Sequence, residues 1–219
     1  CILLINNIHE GKLIMKKLIF ISLIFSVLIS AQDYKRYQFK SGKVVYQSTG
    51  SMTGTETMYF DDYGMLETKI TKVTMDLMGI KQETDNTAIL KDKWIYSIDN
   101  KTNTANKLEN PMYSMFPEGI ESEKAGEEMM IKMGGQKVGT ETINGKDCDI
   151  WEIKKMMSKI WIWKSIPIKT QVSMMGMNVT LIATSVETDI AVMPSMFNIP
   201  TGIQIQEMDN IDLNSLMGN

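Results

Sequence analysis

Short segments rich in Val, Ile, Thr, Tyr and Trp recur along this chain, with turn residues such as Gly, Asp and Asn between them. Strands of this length and composition, separated by turns, are typical of an antiparallel all-β domain. The predicted strands are residues 43–49, 55–60, 67–76, 84–90, 94–98, 140–143, 147–154, 159–164, 168–173 and 177–187. This pattern predicts a single β-rich domain in which one sheet supplies most of the core.

Asn144 and Gly145 separate two of these predicted strands, 140–143 and 147–154. Both residue types tolerate a positive φ, which a two-residue type I′ hairpin turn requires at both positions. This pair is the strongest hairpin signal in the chain. It predicts that the two strands are paired antiparallel neighbours.

Only one segment, residues 122–133, has the pattern of a helix. Ser122 can cap its N-terminus, acidic residues follow in the first turns, and Gly134 and Gly135 can end it. Ala125, Met129 and Met133 recur every four residues, so they share one side of the helix. We expect this short helix to cross the sheet as a cover.

An export signal is predicted at residues 15–31. Met15, Lys16 and Lys17 form a basic start, residues 18–29 are apolar or serine, and small residues follow where a signal peptidase would cleave, near Gln32. The apolar part is about half the length of a membrane-spanning helix, which needs roughly 20 residues. We therefore expect an upstream segment 1–14, a signal 15–31, one domain 32–203 and a docked or frayed C-terminal tail 204–219. The expected location is the periplasm or outer cell envelope of a Gram-negative bacterium, with no integral membrane span after cleavage.

The residues after this signal exclude several kinds of chemistry. The only histidine is His9, which precedes Met15, and the only cysteine after the signal is Cys148. A Ser-His-Asp or Cys-His arrangement and a histidine-containing zinc site therefore cannot be assembled. Cys148 lies in an apolar strand-like segment, where a buried inert thiol is expected. Acid–base catalysis by adjacent carboxylates stays formally open, although each pair has the pattern of a turn or a solvated face: Asp61-Asp62, Glu127-Glu128 and Asp147-Asp149.

The chain carries a net charge of −3, so no affinity for nucleic acid is expected. No cofactor is expected either, because no phosphate-binding or calcium-binding loop is present in the sequence. We expect a protein that is not an enzyme.

Methionine is unusually frequent, with 20 residues in the chain. Three interpretations stay open: ordinary core filling, a flexible apolar lining that adapts to hydrophobic partners, and thioether ligation of Cu(I). The candidate Cu(I) ligands are Met129, Met130, Met133, Met174, Met175 and Met177.

Aromatic residues could complete an apolar lining. Alternation along a strand places Trp94 and Tyr96 on one face of their strand, and Trp161 and Trp163 on one face of theirs. Because Ile160 and Ile162 alternate with these two tryptophans, that strand should be covered on both faces. Core packing is the alternative role for the aromatic side chains. The predicted ligand-lining residues are Trp94, Tyr96, Met129, Met133, Trp151, Trp161, Trp163 and Met177.

Four segments carry a resemblance to a known family: 59–64 (YFDDYG), 141–151 (ETINGKDCDIW), 160–169 (IWIWKSIPIK) and 197–202 (FNIPTG). Together they resemble the exported bacterial proteins of the DUF4412 family, which are similar to the LolA/LolB-like lipoprotein carriers, over about residues 42–203. The resemblance implies an open, strongly curved antiparallel half-barrel, closed on one face by a helix and able to hold an acyl chain.

Taken together, these features predict non-enzymatic binding of a hydrophobic or amphipathic molecule, such as a lipid or acyl chain, in the cell envelope. Two alternatives stay open. One is a methionine-rich Cu(I)-binding periplasmic protein, and the other is a structural protein that binds an envelope protein partner.

Overall fold

A computed structural model describes residues 35–77, 79–110, 122–174 and 176–208. The predicted upstream segment 1–14 and signal 15–31 lie outside these residues. The strands are β1 (Gly42–Gly50), β2 (Met52–Asp61), β3 (Leu66–Leu77), β4 (Ile80–Lys91), β5 (Trp94–Asp99), β6 (Thr104–Glu109), β7 (Gly135–Ile143), β8 (Lys146–Ile153), β9 (Ser158–Trp163), β10 (Ile166–Met174), β11 (Met177–Thr188) and β12 (Gln204–Glu207). The helix α1 is Ser122–Lys132, and short 3₁₀ turns are formed by Asp62–Gly64, Lys154–Met156 and Pro194–Phe197.

The described strands form one open sheet in the order β12-β6-β5-β4-β3-β2-β1-β11-β10-β9-β8-β7. Every neighbouring pair is antiparallel except β12 and β6, which are parallel. The α1 helix follows β6, next to one edge of the sheet, and precedes β7, which forms the other edge. The structure thus confirms the predicted curled antiparallel sheet with one short helix.

The strand register divides the sheet into two faces, because residues paired across neighbouring strands project to the same side. One face carries Val44, Met58 and Lys69, which follow one another across β1, β2 and β3. Continuing the register across β10 and β9 places Ile160 on this same face. We call it the helix face, since α1 packs on it, and we call the other the opposite face.

The α1 helix contacts the helix face through methionine. Met130 is 2% exposed and lies in one apolar cluster with Trp151, Ile153 and Ile160. Gly135 begins β7 directly after the helix, and a Cβ atom there would lie 2.7 Å from the carbonyl oxygen of Met130. The absence of a side chain at residue 135 therefore lets the helix end lie against the sheet.

The N-terminal segment 35–41 packs on the central strands. Tyr37 is 1% exposed and its ring lies 4.6 Å from the ring of Phe60, within the largest described apolar cluster. The same cluster includes Cys148 and Trp161, which come from β8 and β9. Ile160 and Trp161 lie on opposite faces and are both buried, as expected for a strand covered on both sides.

The predicted hairpin is present at Asn144 and Gly145, whose φ values are +50° and +73°. These values agree with a type I′ turn. The side-chain amide of Asn144 also donates a hydrogen bond to the carbonyl of Ala183 on β11, at 3.3 Å. The hairpin tip therefore reaches across β9 and β10, which reflects the strong curl of the sheet.

The C-terminal segment covers part of the opposite face. Phe197 is 2% exposed, and the hydroxyl of Thr68 donates to the carbonyl of Met196 at 2.8 Å. Ile199 and Ile203 pack on a buried cluster formed by Ile89, Ile98 and Ala105. Of the predicted tail, residues 204–207 form β12 and residues 209–219 lie outside the described part of the chain.

Candidate functional site

The structure divides the predicted lining residues between the two faces. Trp151 and Met177 project to the helix face. Met130 and Met133 of the α1 region pack in the cluster around Trp151, and Met129 is 2% exposed. The register places Trp94 and Tyr96 on the opposite face. Bulges interrupt the β1–β11 and β9–β10 registers, and Trp161 lies in the apolar cluster of Tyr37, Val44 and Phe60, against which Trp163 packs.

At one end of the helix face, methionines lie in two cross-strand pairs. Met52 of β2 is directly opposite Met75 of β3, and Met174 of β10 is directly opposite Met177 of β11. Side chains at such positions have Cβ atoms roughly 5 Å apart, so each pair is in contact range. Met75 and Met177 are 3% and 7% exposed, and Met52 and Met174 are half-buried.

The β1–β2 turn brings these two pairs to the same end of the sheet. The backbone N–H of Ser51 donates to the carbonyl of Asn178 at 2.8 Å, and the N–H of Asp76 donates to the carbonyl of Ser51 at 3.0 Å. Gly50 lies between Met52 and Val179 in the register and adds no side chain there. We call the resulting apolar part of the helix face the methionine surface, composed of Met52, Val73, Met75, Val172, Met174, Met177 and Val179.

Polar side chains without charge begin at the next strand. Gln82 of β4 is directly opposite Met75, and Thr84 is directly opposite Val73. Further along the same face, Asn86 donates to the hydroxyl of Ser97 at 3.1 Å. We call this region the amide surface, composed of Gln82, Thr84, Asn86, Ser97, Asn106 and Gln206.

One buried ion pair joins the N-terminal segment to the central strands, and a second joins β2 to β3. Arg36 Nη1 is 3.0 Å from Glu67 Oε2, and Lys69 Nζ is 3.2 Å from Glu56 Oε1. Tyr37 donates its hydroxyl to the same oxygen of Glu67 at 2.6 Å. Because each cation lies against a carboxylate, the four charges largely neutralise one another.

Two buried tyrosines adjoin this network. Burial raises the pKa of Tyr37 well above its usual value, opposed by the charge of Arg36 and reinforced by that of Glu67. Burial likewise raises the pKa of Tyr46, and the nearby carboxylates of Glu56 and Glu67 add to the effect. Both side chains are therefore neutral hydrogen-bond donors.

Lysine side chains lie over aromatic rings predicted as lining. The ammonium of Lys107 is 4.0 Å from the ring centroid of Trp94, and that of Lys169 is 4.2 Å from the ring of Trp161. Phe39 lies 5.2 Å from Trp163. Trp161 and Trp163 therefore belong to the core beside the N-terminal segment, whereas Tyr96 packs with Ile199 and Ile203 of the C-terminal segment.

Within the described residues, no group of three or more His, Cys, Asp or Glu side chains is arranged to hold a metal ion. The candidate Cu(I) ligands fall on two elements. Met129, Met130 and Met133 belong to α1 and the turn after it, whereas Met174 and Met177 form a pair on the β10–β11 hairpin. Met175 lies outside the described residues. Cys148 is buried, and its burial raises the pKa of the thiol.

Two residues of this region were not singled out from the sequence: Met52 and Met75. Met52 and Met75 are 23 positions apart, so only the β2–β3 register brings them together. Arg36 is the only arginine of the chain, and the structure places it in a buried ion pair with Glu67.

Among the described residues, no helix is both long and apolar enough to cross a membrane. No family model matches the chain. The search of curated proteins gives no match either.

The chain is similar to several solved structures at low identity. One is an uncharacterized conserved protein from Thermus thermophilus, with 10% identity, a TM-score of 0.49, and coverage of 78% of this chain and 92% of that one. A second is MucB in complex with MucA(peri), with 10% identity, a TM-score of 0.39, and coverage of 76% of this chain and 56% of that one. A third is LprF from Mycobacterium bovis, with 10% identity, a TM-score of 0.34, and coverage of 72% of this chain and 89% of that one.

Proposed function

We propose that this protein is an exported cell-envelope protein that binds an amphipathic molecule on the helix face, without catalysis. The apolar part of the ligand lies on the methionine surface. The observation that carries this proposal is the placement of two methionine pairs, Met52 with Met75 and Met174 with Met177, at one end of that face. We also propose that the chain belongs to the DUF4412 family and shares the half-barrel of the LolA/LolB-like group.

Methionine suits this role because its side chain is unbranched and polarisable. It can change rotamer to match acyl chains of different length or unsaturation, which a surface of branched residues does less readily. Burial of apolar area contributes roughly 25 cal/mol per Å². Met52 and Met174, the half-buried members of the methionine surface, supply the area that a ligand would cover. The affinity then depends on the apolar area that the ligand covers, and the shape of the methionine surface determines which ligand is preferred.

The predicted lining residues on the side of α1 belong to this proposed site, namely Met129, Met133, Trp151 and Met177. Export through the signal at 15–31 would place the protein where envelope lipids are available. The lack of histidine after Met15 supports a role in binding.

The test begins with protein purified from its native envelope. Lipid extraction followed by mass spectrometry should recover a bound amphiphile, and the neutral dye N-phenylnaphthylamine should increase in fluorescence on binding. Failure of both measurements would refute the proposal.

A pair of double variants locates the site. Met52 and Met174 are half-buried, so Met52→Gln with Met174→Gln makes the methionine surface polar with little effect on folding. We expect the Kd of the dye to rise about tenfold, which corresponds to about 1.4 kcal/mol. The matched control is Met157→Gln with Met193→Gln, whose side chains are 51% and 67% exposed and lie outside this surface. Equal loss of affinity in both double variants would contradict this location.

Cu(I) binding is a second candidate, because Met174 and Met177 are directly opposite and thioethers are soft ligands. Competition with a Cu(I) chelator tests it on the same proteins. Under this alternative, Met52→Gln with Met174→Gln abolishes metal binding.

A further inference from the structure

The charged residues of four strands lie almost entirely on one face of the sheet. In β4, β5, β6 and β12, the register places Lys and acidic residues on the opposite face: Lys81, Glu83, Asp85, Lys91, Lys107, Glu109 and Glu207. Some of them are paired there, such as Lys107 with Glu207 at 2.7 Å. On the helix face of these strands the only charged residue is Asp99, whose carboxylate accepts the N–H of Lys101 at 2.8 Å.

One half of the helix face of these strands is polar and accessible, whereas Leu90, Ile95 and Leu108 on its other half are buried and apolar. Gln82, Thr84 and Asn86 are half-buried, and Asn106 and Gln206 are exposed. Amide side chains both donate and accept hydrogen bonds, and so do hydroxyls. The amide surface therefore offers paired donors and acceptors and carries no cation; among the described residues, the one charge beside it is the carboxylate of Asp99, directly opposite Asn86.

This surface adjoins the methionine surface without a gap. Met75 is directly opposite Gln82, and Val73 is directly opposite Thr84, so the boundary between the apolar and polar regions follows the β3–β4 pairing. A ligand whose tail lies along Met75 would place its polar end over β4 to β6. The side chains on the polar side of this boundary therefore determine which ligand head group fits.

We propose, on the basis of the function proposed above, that the ligand is an amphiphile with an uncharged, hydroxyl-rich head group, such as a glycosyl lipid, and that the amide surface binds this head group. Sugar hydroxyls exchange donor and acceptor roles with amides and with Thr or Ser hydroxyls. A phosphate head group needs Lys or Arg donors, which the amide surface lacks. The nearest buried cations on the helix face, Arg36 and Lys69, are already bound to Glu67 and Glu56.

The test compares two lipids with identical acyl chains. Digalactosyl diacylglycerol and phosphatidylglycerol are titrated separately against the protein with bound N-phenylnaphthylamine. We expect the neutral glycolipid to displace the dye at about tenfold lower concentration. Equal or stronger displacement by phosphatidylglycerol would overturn the head-group proposal while leaving the proposed function intact. Failure of the dye and of both lipids to bind would overturn both proposals.

Two variants of the amide surface sharpen the comparison. Thr84→Val removes a hydroxyl from the helix face. We expect the Kd of the glycolipid to rise about fivefold, as for the loss of one neutral hydrogen bond, and the Kd of phosphatidylglycerol to stay unchanged. Thr74→Val is the matched control, because Thr74 is also half-buried but projects to the opposite face of β3. Asn106→Lys adds a cation to the amide surface and should strengthen phosphatidylglycerol binding. An unchanged lipid preference in both Thr84→Val and Asn106→Lys, with an unchanged melting temperature, would overturn the proposal.

Discussion

Arg36 and Glu67 form an ion pair of 3.0 Å in which the two side chains are 0% and 3% exposed. Arg36 lies in the segment before β1, and Glu67 lies on β3, so the pair ties the N-terminal segment to the sheet. Tyr37 strengthens this link, because its hydroxyl donates to Glu67 at 2.6 Å. A charge that loses its partner at this position stays buried, which is far more costly than the loss of a surface ion pair.

Removal of one partner of this pair should therefore be strongly destabilising. We expect Arg36→Met or Glu67→Gln to lower the free energy of unfolding by about 3–5 kcal/mol. The double variant Arg36→Met with Glu67→Met should cost much less than the sum of the two single variants, because it leaves no unpaired buried charge at this position. Urea unfolding monitored by tryptophan fluorescence measures all three. Lys72→Met is the control, since Lys72 pairs with Asp85 at the surface and should contribute about 0–1 kcal/mol. Strict additivity in the double variant would contradict this account.

Substitution of Gly64 should destabilise the protein by more than the strain of its positive φ, because a side chain there would also clash with Tyr37. Its φ is +88°, and a Cβ atom there would lie 2.6 Å from Cδ2 of the buried Tyr37 ring. Gly79 has a similar φ of +83° and no atom within 4 Å of a Cβ position. We expect Gly79→Ala to cost about 1 kcal/mol from backbone strain alone, and Gly64→Ala to cost at least about 2 kcal/mol more. Thermal unfolding of the two variants compares them, and equal melting temperatures would show that Tyr37 moves aside without cost.

Stability should decline steeply in alkali because of the buried tyrosines. Burial raises the pKa of Tyr46 well above its usual value, whereas in the unfolded chain this group ionises near pH 10. Its contribution is fully present below about pH 10 and is lost as the pH rises toward the folded-state pKa, by about 1.4 kcal/mol per pH unit. Tyr46→Phe should make this decline shallower, although at neutral pH it loses the hydrogen bond to the Pro167 carbonyl. Urea unfolding between pH 9 and 11 is the measurement, and an unchanged slope would contradict the prediction.

The sequence predicted the elements of this fold better than their placement. Alternation within one strand correctly placed Trp161 and Trp163 on a common face, because the period of a strand is set by its own backbone. It could not show that Trp161 and Trp151 project to opposite faces, since that depends on the pairing of Ile150 with Trp161. Pairing is a property of two strands together.

Strands β6 and β12 were not predicted for a related reason. The β6 segment, Thr104–Glu109, contains Asn106, Lys107 and Glu109, and its only buried residues are Ala105 and Leu108. Such a composition has weak β-propensity, so neighbouring strands determine its conformation. The β12 segment pairs in parallel with β6 near the end of the chain, and all its residues are exposed.

The thiol of Cys148 should react only when the protein opens. Cys148 is 0% exposed, its burial raises the thiol pKa, and its Sγ lies 3.3 Å from the carbonyl oxygen of Lys146. Since the reactive species is an exposed thiolate, both burial and the raised pKa slow the reaction. In the exported protein cleaved near Gln32, whose only thiol is Cys148, we expect Ellman's reagent to react at least about a thousandfold more slowly with the native protein than in urea. This factor follows from an open population below about 10⁻³ at a stability of about 5 kcal/mol. Arg36→Met should speed the native reaction about tenfold for each 1.4 kcal/mol of lost stability, because the open population rises by that factor. Rapid labelling of the stable protein would instead mean that the core around Cys148 opens locally.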